Sequence, residues 1–228
     1  MLFLRTKQLA FDKQVMLIND FKKTKLWHKE LKTLEYDPKS IFKKAKTKFE
    51  ILSSLSFFLM IMASEILLNQ PVKKKINLIH NNFLYKFISK DRKKIDRVEI
   101  NSFTFSLFMI LQKLFKEEDR LEEYSDEIIN FSICHWSNIQ KMNEKQYLEK
   151  KNDVLKLWKI NKSIVFSKID SSKIDLIILL YKSFEIGVGN KEIIKKNIAV
   201  LGFSISKVFK EFRYDVINEF KKKEKLMK

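Results

Sequence analysis

Ile51-Leu-Ser-Ser-Leu-Ser-Phe-Phe-Leu-Met-Ile-Met-Ala-Ser-Glu65-Ile-Leu-Leu68 is the most apolar run of the chain. A helix that crosses a bilayer needs about 20 predominantly apolar residues. This run carries Glu65 and four serines, Ser53, Ser54, Ser56 and Ser64. A helix apolar on every side fits the middle of a bundle, where neighbouring helices cover each of its faces. The run is therefore read as a buried core helix, and the chain as not transmembrane.

Working outward, the rest of the sequence reads as helices that wrap this one. Only three Gly and two Pro interrupt the 228 residues. Hairpins and meanders require turn residues at short intervals, so an all-α chain is expected. Leu9, Phe11, Val15, Leu17, Ile18 and Phe21 can line one face of a helix over residues 5–36, with Trp27 and His28 near its end. Pro38 resets the chain into a new helix near Lys39, and Pro71 does so before Ile76, Ile79, Phe83 and Phe87. Further helices are expected over 98–115, from the acidic cluster Glu117-Glu118-Asp119 to Ile139, and over 144–168 and 173–184. Gly187-Val-Gly189-Asn190 is the clear break before a last helix that starts at Lys191 and reaches Val216. The chain divides into an N-terminal helical extension (1–38), one bundle (39–220) and a basic tail (221–228).

Net charge is +18, from 46 Lys and Arg against 28 Asp and Glu. Such an excess favours anionic partners: RNA, acidic lipid or acidic protein surfaces. Most of it is lysine, a point charge rather than the fork that reads bases. The lysine runs at 72–75 and 221–225 read as solvated helix ends, while the acidic 117–127 stretch and the basic tail offer docking surfaces for protein. The single cysteine, Cys134, cannot form an internal disulfide, which points to a reducing or organellar compartment. The segment Met1-Leu-Phe-Leu-Arg5-Thr-Lys7-Gln8 is basic, with no acid before Asp12, as an import sequence for mitochondria would be.

Several short segments share an order and a spacing. Lys44-Ala-Lys46-Thr-Lys48-Phe49 precedes the apolar helix. Asn77-Leu-Ile-His80-Asn81-Asn82-Phe-Leu-Tyr85 follows it, then Lys90-Asp-Arg92-Lys93, Tyr147-Leu-Glu149, Leu157-Trp158 and Leu201-Gly202. This succession resembles the trans-polyprenyl diphosphate synthases, whose first metal-binding motif reads Leu-Ile-His-Asp-Asp-x-x-Asp. The resemblance covers about residues 40–220 and implies a single helical bundle of the isoprenoid synthase type, shortened at its C-terminus. It also implies that Asn81, Asn82 and Tyr85 stand where three carboxylates belong, and that the second aspartate cluster is replaced by Phe209, Lys210 and Arg213 in one register or reduced to Asp215 in another. Mg²⁺ takes hard anionic oxygens, which Asn amides and a Tyr phenol do not supply. The resemblance therefore implies no metal, no cofactor and no ionisation of an allylic diphosphate. Lys46 and Lys48 stand near two diphosphate-binding arginines of the family, and Lys90 and Arg92 near a downstream basic pair, so these four are the candidate anion-binding residues.

No other chemistry competes with this reading. His80 is a lone histidine, and neither His28 nor His135 has metal-ligand spacing to another His or Cys. Cys134 and His135 are adjacent, and neighbours on a helix point in different directions, so they do not make a nucleophile and its base. The sequence thus suggests a catalytically inactive accessory or structural subunit of a larger, mitochondrial assembly such as a respiratory, ATP synthase or ribosomal complex. The alternative is a regulatory partner of an active polyprenyl diphosphate synthase, helping to set quinone side-chain length.

Overall fold

A computed structural model describes residues 2–34, 37–68, 92–167, 209–210 and 215–227. Every regular element among them is a helix: α1 (Leu2–Thr33), α2 (Pro38–Lys44), α3 (Lys48–Leu68), α4 (Arg92–Glu117), a 3-10 helix (Asp119–Tyr124), α5 (Ser125–Ile139) and α6 (Glu144–Val165). A further helix covers 215–224. The expected helices at 76–87 and 173–184, and the Gly187–Asn190 break, lie outside the described residues.

The apolar run is the centre of the molecule. Every residue from Ile51 to Ala63 is buried, because α3 packs against α4, α5 and α1. Among the described residues no helix is long and apolar enough to cross a membrane. The serines that interrupt the run join α3 to its neighbours. Trp27 Nε1 donates to Ser54 Oγ at 3.1 Å, and Ser56 Oγ donates to the Ile128 carbonyl at 3.1 Å. Ser53 meets His135 while Ser56 meets Ser132 and Ile128, so α3 and α5 run antiparallel.

Local sequence sets the ends of the elements. Asp37 caps α2 by accepting from Ser40 N at 2.9 Å, with Pro38 at the first helical position. Thr47 and Glu50 form a capping box for α3: Glu50 N donates to Thr47 Oγ1 at 3.2 Å, and Thr47 N donates to Glu50 Oε2 at 3.0 Å. Asn143 and Gln146 do the same for α6. Between α5 and α6 the chain turns through Lys141, whose φ of 55° is left-handed. Lys141 N donates to Asn138 O and Met142 N to Ser137 O, the paired bonds of a Schellman turn.

Two stretches differ from the sequence-based expectation. The acidic cluster does not open α5. Glu117 ends α4, residues 119–124 form a 3-10 helix, and α5 begins at Ser125. Glu118 turns inward, where Arg120 Nε lies 2.9 Å and Lys221 Nζ 3.1 Å from its carboxylate. Burial opposes the charge on Glu118, but hydrogen bonds from Arg120 and Lys221 outweigh it and hold the carboxyl below its ordinary range. At the other end, the helix runs past Lys221 through Glu224. It is fastened by Glu224 to Arg120 at 3.2 Å, by Phe220 against Phe42, and by Lys223 Nζ donating to the Ala45 carbonyl at the end of α2. One acid and one lysine that look like free docking surface in the sequence, Glu118 and Lys221, are here paired with each other.

Candidate functional site

A group of the polar side chains buried in this bundle lies along one seam, where α1 meets α5 with α3 and α6 on either side. The buried face of α1 follows a 3–4 spacing through Leu17, Phe21, Thr24, His28 and Leu31, with Asp20 at its margin. Asp20, Thr24 and His28 thus come one turn apart on a face that is otherwise apolar. From α5 come Asn130, Cys134 and His135, from α6 Tyr147 and Lys151, and from α3 Ser53.

Asn130 is the hub of the first cluster. Its Nδ2 donates to Asp20 Oδ2 at 2.9 Å. Its Oδ1 accepts from Lys151 Nζ at 2.6 Å and from Tyr147 OH at 3.0 Å. A carboxylate, an amide and an ammonium therefore lie in line, with the amide dipole oriented to suit both charges. Cys134 Sγ donates to Tyr147 OH at 3.3 Å, and the Tyr147 ring stacks on Phe21 with centroids 4.4 Å apart. Lys151 is only 3% exposed. Burial lowers its pKa to about 8, against the opposing pull of Cys134 and Asp20. Burial also pushes the Cys134 thiol up to about 12 and raises the Tyr147 phenol. A thiol held this far from ionisation is a weak nucleophile.

One turn further along the seam, His28 Nδ1 and His135 Nδ1 are 2.9 Å apart. His135 Nε2 lies 2.9 Å from the Ser53 carbonyl and 2.9 Å from its hydroxyl. A carbonyl only accepts, so His135 Nε2 carries the proton, and its Nδ1 must accept one from His28 Nδ1. That leaves His28 Nε2 unprotonated, buried and without a hydrogen-bond partner. Burial, followed by the nearby Lys32 charge, lowers the His28 pKa to about 4. Burial and the neighbouring His28 lower that of His135, against the Ser53 backbone bond. Phe57 packs edge-on against both rings, at 5.5 and 5.3 Å. The pair is a neutral hydrogen-bonded link between α1, α5 and α3.

The candidate residues named from sequence lie elsewhere. Lys46 and Lys48 are exposed at the start of α3. There the helix N-terminus, where an anion would bind, is occupied by the chain's own Glu50 carboxylate, which accepts from Lys46 N at 2.7 Å. The Lys48 ammonium lies 3.6 Å from Glu127 and 4.7 Å over the Tyr124 ring. Arg92 is the first residue of α4, and Asp215 is exposed at the start of the 215–224 helix. Asn81, Asn82, Tyr85, Lys90 and His80 lie outside the described residues. Cys134 and His135 diverge, the thiol toward α6 and the imidazole toward α1 and α3. Sequence spacing hides the His28–His135 pair, because 107 residues separate its members. The one available signal was the run of Asp20, Thr24 and His28 within an apolar stripe. Among the described residues no group of three His, Cys, Asp or Glu side chains could hold a metal ion.

Comparison of the chain with known protein families, with curated proteins and with solved structures found no match.

Proposed function

We infer that this chain is a non-catalytic accessory subunit of a larger, mitochondrial assembly, a helical scaffold of the polyprenyl synthase type whose work is to hold and be held. One observation carries the reading. The titratable side chains gathered in the interior are engaged with one another across helix boundaries: Asp20 with Asn130 and Lys151, Cys134 with Tyr147, and His28 with His135. Buried polar groups partnered in this way specify how helices meet, and they rigidify a core. The imidazoles and the thiol are held neutral and shielded, conditions that suit cohesion better than proton transfer or nucleophilic attack at neutral pH. The sequence motifs agree, with Asn81, Asn82 and Tyr85 at positions where the resembled family keeps metal-binding carboxylates.

The experiment is a gentle native pull-down of the tagged chain, with mass spectrometry of everything retained. Recovery of a large mitochondrial complex at fixed stoichiometry is the expected result. Recovery of a single active prenyl synthase would replace this reading with the regulatory one. Prenyl transfer by the pure chain with magnesium, lost in Lys46→Ala, would overturn both.

A further inference from the structure

The face of α1 opposite the seam is exposed, touched at its margins only by ion pairs among the described residues. Leu17, Thr24, His28 and Leu31 point inward, so at about 100° per residue Val15 and Leu26 point most directly outward, with Lys22 and Lys29 about 40–60° round from Leu26 on one side. Lys25 and Lys32 continue that side onto the flank, about 100–120° round from Leu26, and Lys23 lies on the other side; all of these lysines are exposed. From Lys22 to Thr33 the helix carries five lysines and a single acid, Glu30. Glu30 is paired with Lys44, and Lys22 with Glu144 at 3.1 Å. Lys23, Lys25, Lys29 and Lys32 have no carboxylate partner among the described residues. Apolar side chains adjoin them: Leu26 is 66% exposed and Val15 40%, while Met16, 57% exposed, lies beside Lys23 on the other flank.

We propose that this outer side of α1 is a docking surface for an anionic lipid bilayer, with Lys25, Lys29 and Lys32 on the headgroups and Leu26 inserted at the edge of that lysine arc. Two features favour lipid over other polyanions. Residues 12–33 contain no arginine, and their two aromatic residues, Phe21 and Trp27, are buried, so neither a phosphate fork nor a stacking platform for bases is present. Exposed aliphatic side chains within a lysine field are what a helix lying in the headgroup layer presents. A surface of this kind would hold the protein on one leaflet with no spanning segment. The inference goes beyond the accessory role, and it stands whether or not that role holds.

The test is co-sedimentation of the full chain with phosphatidylcholine vesicles, with and without phosphatidylserine. Binding is expected only where phosphatidylserine is present, and it should weaken as salt is raised. The triple variant Lys25→Gln/Lys29→Gln/Lys32→Gln should bind about a hundredfold more weakly, since each lysine at such a surface contributes about fivefold. Leu26→Ser should lose severalfold with charge unchanged. Lys145→Gln/Lys156→Gln/Lys159→Gln removes equal charge from exposed positions of α6 and should change binding far less. All of these substitutions are on the surface and leave the core intact, as circular dichroism would verify. Equal losses in the two triple variants, no binding to either vesicle, or tighter binding to single-stranded RNA that the α1 triple variant abolishes would each overturn the proposal.

Discussion

The amide of Asn130 faces the Asp20 carboxylate at one end and the Lys151 ammonium at the other. A leucine at this position would fill a similar volume but leave the ammonium buried without an acceptor. Breaking a buried charged network from one side typically costs about 3 kcal/mol, and Asn130→Leu should lower the unfolding free energy by about that amount in urea titration. Removing both members is far less costly, because the desolvation penalty leaves with the charge. Asn130→Leu/Lys151→Met should therefore recover at least half of the loss. A single variant that unfolds at the wild-type midpoint would show that the network contributes nothing. None of this was legible residue by residue. An asparagine, a tyrosine and a lysine inside helices are ordinary surface choices in a sequence, and only the packing of α1, α5 and α6 brings them together.

At the scale of elements the sequence was far more explicit. Asn143 with Gln146 and Thr47 with Glu50 are capping boxes that can be read from spacing alone, because every bond in them is local. Asn143→Ala should cost about 1 kcal/mol, the usual loss for an N-cap. Two residues earlier the opposite sign is expected. Lys141 adopts a left-handed φ that glycine accepts without a side-chain clash, so Lys141→Gly should gain roughly 0.5–1 kcal/mol. Thermal melts of the two variants, moving in opposite directions, check both statements together. Where α5 begins was less legible. A carboxylate cluster is a fair sign of a helix start, yet Glu118 has a nearer use in Arg120 and in Lys221, which comes from the far end of the chain. Long-range pairing overrode the local signal.

For the whole molecule, the buried imidazoles make stability depend on pH. In the unfolded chain a histidine takes up a proton near pH 6.5, whereas folded His28 does so only near pH 4, and His135 is shifted in the same direction. The unfolded state therefore binds more protons in that window. The stabilisation is complete above about pH 6.5 and is lost as pH falls toward about 4. His28 alone accounts for about 3 kcal/mol of this. Urea midpoints measured across the window should fall steadily, and His28→Phe should flatten the slope. A wild-type midpoint unchanged from pH 6.5 to pH 4 would contradict the buried neutral pair. The sequence by itself determined that the described elements are helical, that residues 51–68 belong to a core helix, and where α2 and α6 start, because periodicity and turn residues act over a few neighbouring positions. The tertiary structure alone decided that the core serines link helices, that Glu118 pairs with Lys221 near the C-terminus, and that His28 meets His135. Those outcomes depend on which faces of distant helices share a dry interior, where a hydrogen bond or ion pair is stronger than in water.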